Sequence, residues 1–290
     1  MPARAEAFGA YRLVRVLGEG ASATVHLAQD LRSGGWVALK VLRPAGSTER
    51  RLETRLRFER EAELIQRLQH PHIVTLHAIG ECEGRLWLAM EVLPGCSLER
   101  YTHGQRLLPP SRVARIGERM ALALHYAHGQ GVVHRDIKPS NAILDLASEQ
   151  IKLTDFGTAR LLDKGDTGTE LLLGSPAYMA PELLAGKPAD AASDLYSLGV
   201  LLFELLVGRR PHESASMGEL LRQVAADSAP DVRSLRPEVP AALAKAVGRL
   251  MSKHPGHRPG SGQAAAAELA QAQVAPGAVH SPAAGGALSR

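Results

Sequence analysis

The chain has 290 residues, 45% of them hydrophobic and 22% charged, which is the balance of an ordinary globular protein able to bury a sizeable core. The net charge is only +4, the basic residues are scattered and aromatics make up 4%, so we expect no nucleic-acid partner. Two cysteines, Cys82 and Cys96, are too few for a disulfide scaffold and suit a reducing compartment. No signal peptide or bilayer-length apolar run is evident, so we predict a cytoplasmic protein without a membrane partner.

The first third of the sequence predicts a small antiparallel sheet. Short alternating or apolar runs, typical of strands, cover residues 11–17, 24–29, 36–42, 73–79 and 86–92. A single helix, at about residues 49–68, interrupts them.

The remainder of the sequence predicts helices, at residues 110–128, 193–207, 217–224 and 241–251. Strands followed by helices favour an α+β protein of two lobes joined near residues 91–95. We therefore predict one domain over residues 11–270, with lobes at about 11–93 and 94–270. Residues 271–290 are rich in Ala, Gly and Pro and predict a disordered tail.

A glycine-rich turn, Gly18-Glu19-Gly20, separates the first two predicted strands. Glycines lack a Cβ atom, so backbone N–H groups there can approach phosphate oxygens closely. Such turns are also common hairpin connections. A dinucleotide-binding fold would need a helix after the glycines, whereas residues 25–28 alternate as a strand does, which favours a phosphate-covering lid between strands.

Lys40 ends an apolar strand and Glu61 lies on the helix that follows. Helical spacing places Glu61 on one face with Phe58, Leu64, Ile65 and Leu68. A carboxylate within an apolar stripe is costly unless a cation meets it, and Lys40 is the natural partner. The pair would direct the Lys40 ammonium towards phosphates, although Glu61 paired with another cation is the alternative.

The most specific signal is the run from His134 to Asn141, His-Arg-Asp-Ile-Lys-Pro-Ser-Asn, with Asp155-Phe156-Gly157 fourteen residues further on. It supplies two carboxylates, an amide oxygen and a lysine. Phosphoryl transfer uses these groups to accept a proton, hold a divalent cation and neutralise the moving phosphoryl group. Each residue alone would more often be a turn or capping residue, but the combination in this order is rarely accidental.

On these motifs the chain resembles the protein kinases, specifically the bacterial eukaryotic-like serine/threonine kinases, over about residues 8–270. The resemblance implies the bilobal kinase fold and a catalytic set of Asp136 as base, Lys138 on the γ-phosphate and Lys40 on the α- and β-phosphates. It implies that Asn141 and Asp155 hold the metal ions, Mg²⁺ with Mn²⁺ as an alternative.

The resemblance also implies a wider set of contacts to ATP. The adenine would lie against apolar side chains and meet backbone groups at Glu91 and Leu93, with Met90 closing the deeper pocket. Ala23 stands where the family has a third glycine, a departure that does not argue against ATP binding. The predicted nucleotide contacts are Leu17, Gly18, Glu19, Gly20, Ala21, Ser22, Ala23, Val25, Ala38, Lys40, Glu61, Glu91, Leu93, Asn141, Leu144 and Asp155.

Further family positions lie in the second lobe. Residues 174–182 match the platform for the acceptor segment, and Glu182 is expected to pair with Arg258 as a structural bridge. Asp194 is expected to cap the helix that follows it and to tie down the catalytic-loop backbone.

These expectations predict an ATP-dependent protein kinase that phosphorylates serine and threonine hydroxyls of proteins. The alternatives are a pseudokinase scaffold, disfavoured because no catalytic group is missing, and a small-molecule phosphotransferase, disfavoured because residues 161–182 have protein-kinase form. Ser140 predicts no strong demand for arginine before the acceptor.

Regulation is predicted from Arg135, a cation beside the catalytic loop. Related kinases pair such an arginine with a phosphorylated threonine in the following loop. Thr167 and Thr169 are the candidates, ahead of Ser175, with phosphorylation between two molecules of a transient homodimer. The alternative is that these threonines are simple solvated loop residues.

Overall fold

The computed structural model describes residues 7–20, 23–43, 48–156 and 176–274, and these form two lobes. The first lobe is an antiparallel sheet with one helix against it. Its elements are β1 (Ala7–Phe8), β2 (Tyr11–Glu19), β3 (Ala23–Asp30), β4 (Trp36–Leu42), α1 (Thr48–Gln66), β5 (Leu76–Cys82) and β6 (Arg85–Met90).

The second lobe is mostly helical, with a small sheet beside the junction. Its elements are β7 (Cys96–Ser97), α2 (Pro110–Gly129), β8 (Ala142–Asp145), β9 (Gln150–Leu153), α3 (Pro181–Leu184), α4 (Ala191–Val207), α5 (Met217–Ala226), α6 (Val232–Leu235), α7 (Ala241–Leu250) and α8 (Gly262–Val274). Short 3₁₀ turns cover Leu98–Tyr101, Gly104–Arg106, Pro139–Asn141, Pro176–Tyr178 and Pro255–His257. The predicted α+β fold of two lobes is confirmed.

The register of the first sheet brings the glycine-rich turn and Lys40 together. The strand order is β1-β2-β3-β4-β6-β5, so β3 lies between β2 and β4. Gly18 pairs with Val25, and Val25 pairs with Lys40 on the next strand. Because paired residues on neighbouring strands lie side by side, Gly18 and Glu19 lie at the same end of the sheet as Lys40.

Helix α1 packs through a narrower stripe than the sequence predicts. Phe58, Ala62 and Ile65 are buried, at the four- and three-residue spacing of one helix face. Leu64, predicted on that face, is 43% exposed, and Glu61 is half-buried. Glu61 therefore lies at the flank of the apolar stripe and not in its middle.

Helix α4 is the core of the second lobe and is buried from Ser193 to Leu206. Its N-cap is Asp190, whose Oδ1 accepts the Ser193 N–H at 2.9 Å while Ser193 Oγ accepts the Asp190 N–H at 3.0 Å. The prediction that Asp194 caps this helix is therefore wrong, because Asp194 lies inside the first turn. Gly199 allows close packing, since a Cβ there would lie 2.8 Å from the Leu250 side chain on α7.

Other boundaries differ from the prediction by a few residues. Strand β5 begins at Leu76, because residues 73–75 leave the sheet to meet the second lobe. Helix α8, which shows no clear sequence signal, continues to Val274, so the first residues of the predicted tail are helical. The rest of that tail lies outside the described residues. None of the helices in the described ranges is long and apolar enough to cross a bilayer.

Candidate active site

The segment from His134 to Asn141, the predicted catalytic loop, is held in place by Asp194 of α4. Its Oδ2 accepts the His134 N–H and its Oδ1 accepts the Arg135 N–H, both at 2.8 Å. His128 Nε2, on α2, lies 2.8 Å from Oδ2. Asp194 is 1% exposed, so these bonds replace lost hydration of its carboxylate. The predicted tie between Asp194 and the loop backbone is confirmed.

His134 joins the catalytic loop to the segment containing Asp155. Its ring lies 4.4 Å from that of Phe156, centroid to centroid, and its Nε2 donates to the Thr154 carbonyl at 2.9 Å. Because a carbonyl can only accept, Nε2 carries the proton, and Nδ1 is free to accept the Asp136 N–H. Burial lowers the pKa of His134, which favours this neutral form.

Asp136, Lys138 and Asn141 converge into one polar cluster. Lys138 Nζ lies 2.7 Å from Asp136 Oδ2, and Asn141 Nδ2 donates to the same oxygen at 2.9 Å. Asn141 Nδ2 also donates to the Asp136 carbonyl at 2.8 Å. The amide is thereby oriented with its nitrogen towards Asp136, so the carboxylate is fixed and electrostatically stabilised.

Lys40 reaches across the cleft to Asp155, and the two form an ion pair of 2.6 Å between Nζ and Oδ1. Lys40 is 6% exposed, while the Asp155 side chain is 27% exposed. Asp155 has a positive φ of 62°, an unusual backbone conformation that recurs at functional sites.

The ion pair of Lys40 differs from the sequence prediction, which placed Glu61 in this role. Glu61 lies at the flank of α1, where it lines a cavity with Arg135. The stripe of Phe58, Ala62 and Ile65 sets the rotation of the helix and leaves Asp155 as the carboxylate on Lys40.

The donor atoms around Asn141 and Asp155 suit a divalent cation that prefers oxygen. Asn141 directs its Nδ2 to Asp136, so the amide oxygen, which accepts from Ser140 Oγ at 3.3 Å, is the atom that can face a cation, and Asp155 supplies a carboxylate. Thr154 N donates to the Asn141 carbonyl at 2.9 Å, which holds the two segments side by side. Amide and carboxylate oxygens are the ligands that Mg²⁺ and Mn²⁺ take.

The apolar residues predicted to line the nucleotide, Leu17, Val25, Ala38 and Leu144, lie on strands β2, β3, β4 and β8. Glu91 and Leu93 lie between β6 and β7, Asn141 immediately precedes β8, and Asp155 follows β9 by two residues. Ala38 pairs with Met90 across β4 and β6, and Cys96 pairs with Leu144 across β7 and β8. A Cβ at Gly18 would meet no heavy atom within 4 Å, so the glycine-rich strand end is open. Of the predicted set, Ala21 and Ser22 lie outside the described residues, as does Gly157.

Two side-chain contacts around the cleft have no clear signal in the sequence. Ser97 Oγ donates to the Pro139 carbonyl at 3.0 Å and ties the junction to the catalytic loop. Lys152 Nζ lies 2.5 Å from Glu91 Oε1. Lys152 and Ser97 are isolated polar residues in strands. Nothing in the sequence around them indicates that their partners are Glu91 and Pro139, which are distant in the chain.

Arg135 lies beside the loop with an incompletely satisfied side chain. Its φ is +71°, and its Nε is buried without a hydrogen-bond partner within the described part of the chain. It lines a cavity of about 50 Å³ together with Glu61, Ile65 and Val132. A buried guanidinium N–H of this kind favours an anion.

The predicted bridge between Glu182 and Arg258 is confirmed. Arg258 Nη1 and Nη2 donate to the two Glu182 carboxylate oxygens at 2.6 and 2.8 Å. Both residues are buried, at 8% and 2% exposure. Burial works to raise the pKa of Glu182, but the hydrogen bonds from Arg258 outweigh it and hold the pKa below its usual value.

Comparisons with known proteins agree with this geometry. The model of the protein kinase domain family matches residues 11–271. The serine/threonine-protein kinase PknJ of Mycobacterium tuberculosis is 43% identical over 258 residues, covering 87% of this chain and 43% of PknJ. PrkC of Bacillus subtilis is 36% identical over 251 residues, covering 86% of this chain and 38% of PrkC.

A solved structure of similar shape is the kinase domain of PknI from M. tuberculosis, with a TM-score of 0.74 and 33% identity. The match covers 93% of this chain and 98% of that domain. The chain spans about two fifths of the length of the curated relatives given above.

Proposed function

The chain belongs to the protein kinase family, and we propose that it transfers the γ-phosphoryl group of ATP to serine and threonine hydroxyls of proteins. The proposal rests mainly on two ion pairs, Lys40 with Asp155 and Lys138 with Asp136. Two carboxylates are each stabilised by an ammonium group at the junction of the lobes, and phosphoryl transfer relies on such positioned charges.

We assign the catalytic roles from these contacts. Asp136 orients the acceptor hydroxyl and takes its proton, because its carboxylate is fixed by Asn141 and Lys138. Lys138 neutralises charge on the transferred group. Lys40 exchanges its contact with Asp155 for the α- and β-phosphates when the nucleotide enters.

We propose that Asn141 and Asp155 hold the divalent cation, Mg²⁺ or Mn²⁺. When bound, the metal supplies positive charge that neutralises the phosphate oxygens. The glycine-rich turn covers the phosphates with backbone N–H groups, and the backbone at Glu91 and Leu93 faces the adenine edge. The predicted contacts Ala21 and Ser22 belong to that turn.

We propose that the activity takes place in the cytoplasm on protein substrates. Cys82 and Cys96 are both free thiols, which suits a reducing compartment. Arg135, with its buried Nε, supports activation by phosphorylation of Thr167 or Thr169 within a transient homodimer, although both threonines lie outside the described residues.

The experiment that tests the proposal is incubation with radiolabelled ATP, Mg²⁺ and a generic protein acceptor. We expect label on the acceptor and on the chain itself. Nucleotide binding without any transfer would favour the pseudokinase scaffold, and label on a small molecule alone would favour a small-molecule phosphotransferase.

A further inference from the structure

The connection between the lobes is short and is fixed at its far end. It consists of residues 91–95, between Met90 at the end of β6 and Cys96 at the start of β7. Gly95 has a φ of +97°, and a Cβ there would lie 2.2 Å from the Leu144 carbonyl oxygen. The backbone of β8 therefore holds this end closely and admits only glycine.

The near end is fixed by the side chain of Glu91. Its Oε1 accepts the Thr75 N–H at 2.7 Å and the Lys152 ammonium at 2.5 Å. The Glu91 N–H in turn donates to the Thr75 carbonyl at 3.0 Å. We call these three residues, Glu91, Thr75 and Lys152, the Glu91 clasp.

The clasp joins segments from both lobes. Thr75 belongs to the stretch between α1 and β5, and Lys152 belongs to β9, which leads into Asp155. This stretch also pairs with β9 directly, because Leu153 N donates to the His72 carbonyl and Val74 N to the Leu153 carbonyl, both at 2.9 Å. One carboxylate oxygen thus connects residues 91–95, called the hinge below, with the α1–β5 stretch and with β9.

The clasp is partly shielded from solvent. The side chains of Lys152 and Glu91 are 18% and 25% exposed. Burial works to raise the pKa of Glu91, but hydrogen bonds from Lys152 and Thr75 outweigh it, so the pKa lies below its usual value and the carboxylate is ionised at neutral pH. Limited solvent access leaves the pair less screened than an open surface pair.

We propose that the Glu91 clasp preorganises the hinge for the adenine base, with Lys152 as a positioning residue. The inference rests on the proposed function, in which the backbone at Glu91 and Leu93 faces the adenine. A hinge that is already ordered loses less conformational entropy when the nucleotide binds, so affinity is higher. Lys152 acts through Glu91 and contacts neither nucleotide nor acceptor.

The test measures the Kd of Mg-ADP by calorimetry, with the KM for ATP and kcat, for wild type and Lys152→Met. We expect Kd and KM to rise roughly five-fold, the scale set by the net contribution of one ordinary hydrogen bond because Lys152 acts on the nucleotide only indirectly, while kcat stays within about two-fold. Lys152→Arg keeps the charge and is expected to restore the wild-type Kd. Lys245→Met, at an exposed position on α7, is the matched control.

A double-mutant cycle with Glu91→Gln isolates the pair. We expect Glu91→Gln, Lys152→Met and their combination to show the same rise in Kd. A wild-type Kd in Lys152→Met, or fully additive effects in the combination, would overturn the clasp. A wild-type chain that binds no Mg-ADP would instead overturn the proposed function, so the two failures are distinguishable.

Discussion

At the scale of single residues, the cleft holds charges that are stabilised by one another before any ligand enters. Lys40 pairs with Asp155, and Lys138 pairs with Asp136. These contacts lower the cost of holding charged groups in a partly buried site. An incoming phosphate would take the place of Asp155 on Lys40, and a metal ion would take the place of Lys40 on Asp155, so each residue keeps a partner of opposite charge.

We expect Lys40→Met, Asp136→Asn and Asp155→Asn each to lower phosphoryl transfer by at least about 100-fold, the scale of a lost acid–base or charge-stabilising group. All three changes lie at the cleft, so circular dichroism should show an intact fold. Asp155→Asn should also weaken Mg-ATP binding. Lys245→Met and Asp227→Asn, both remote surface changes, are the controls. If Asp136→Asn kept most single-turnover activity, its role as base would be wrong.

The buried ion pair of Glu182 and Arg258 is expected to contribute to the free energy of unfolding. Arg258→Met should destabilise the fold by about 3–5 kcal/mol at neutral pH, because it leaves the Glu182 carboxylate buried without its cation. Urea unfolding measures the difference. Arg222→Met, at an exposed ion pair, is the control and should cost far less stability than Arg258→Met, because solvent screens the pair.

The same pair gives the direction of the pH dependence. The pKa of Glu182 is below its usual 4.5 in the folded state, so its ionised form contributes stability above pH 4.5 and loses it as the pH falls through the lowered pKa. The cost of Arg258→Met should therefore shrink on acidification. A cost that is the same at neutral and at acid pH would contradict this assignment of the pair.

At the scale of elements, helix α1 is the part whose position the sequence predicts least well. The sequence predicts a pair of Glu61 with Lys40, and the structure instead pairs Lys40 with Asp155. A pair between Lys40 and Glu61 would need α1 to turn or move inward, which makes the helix a candidate moving element in the catalytic cycle.

We expect Glu61→Gln to lower turnover roughly ten-fold, because a neutral amide attracts Lys40 less strongly and the inward position of α1 is less favoured. Nucleotide affinity should change less than turnover. Steady-state kinetics and calorimetry measure the two effects separately. Glu63→Gln, on the exposed side of the same helix, is the control, and wild-type values for both quantities in Glu61→Gln would exclude the partnership.

The loop after Phe156 carries the prediction about regulation. We expect Mg-ATP treatment to phosphorylate Thr169 or Thr167, since a phosphate there would meet the buried Nε of Arg135. Mass spectrometry identifies the site, and a Thr167→Ala/Thr169→Ala variant should be less active. Full activity in that variant would remove the hypothesis.

For the molecule as a whole, the spacing of apolar residues predicts the main helices and strands, because residues on a buried face recur about every 3.6 positions in a helix and every two in a strand. The sequence pattern does not predict helix α8, since its Ala-rich faces give little contrast between buried and exposed positions. The cap of α4 was misplaced because Asp190 and Asp194 are both suitable residues, and only the fold decides between them.

The contacts of the site that the sequence does not predict are those between residues distant in the chain. The catalytic motifs are local and recognisable, and the tie between Asp194 and the loop follows from family position. The pairs of Lys40 with Asp155 and of Lys152 with Glu91 depend on how the two lobes meet. No spacing within one segment encodes that arrangement.

We propose that this chain transfers phosphoryl groups to protein serine and threonine hydroxyls. The most direct test is phosphoamino-acid analysis of an acceptor protein after reaction with γ-labelled ATP and Mg²⁺, for wild type and Asp136→Asn. We predict labelled phosphoserine or phosphothreonine with wild type and almost none with Asp136→Asn. Equal labelling by both proteins, or label confined to tyrosine, would contradict this activity.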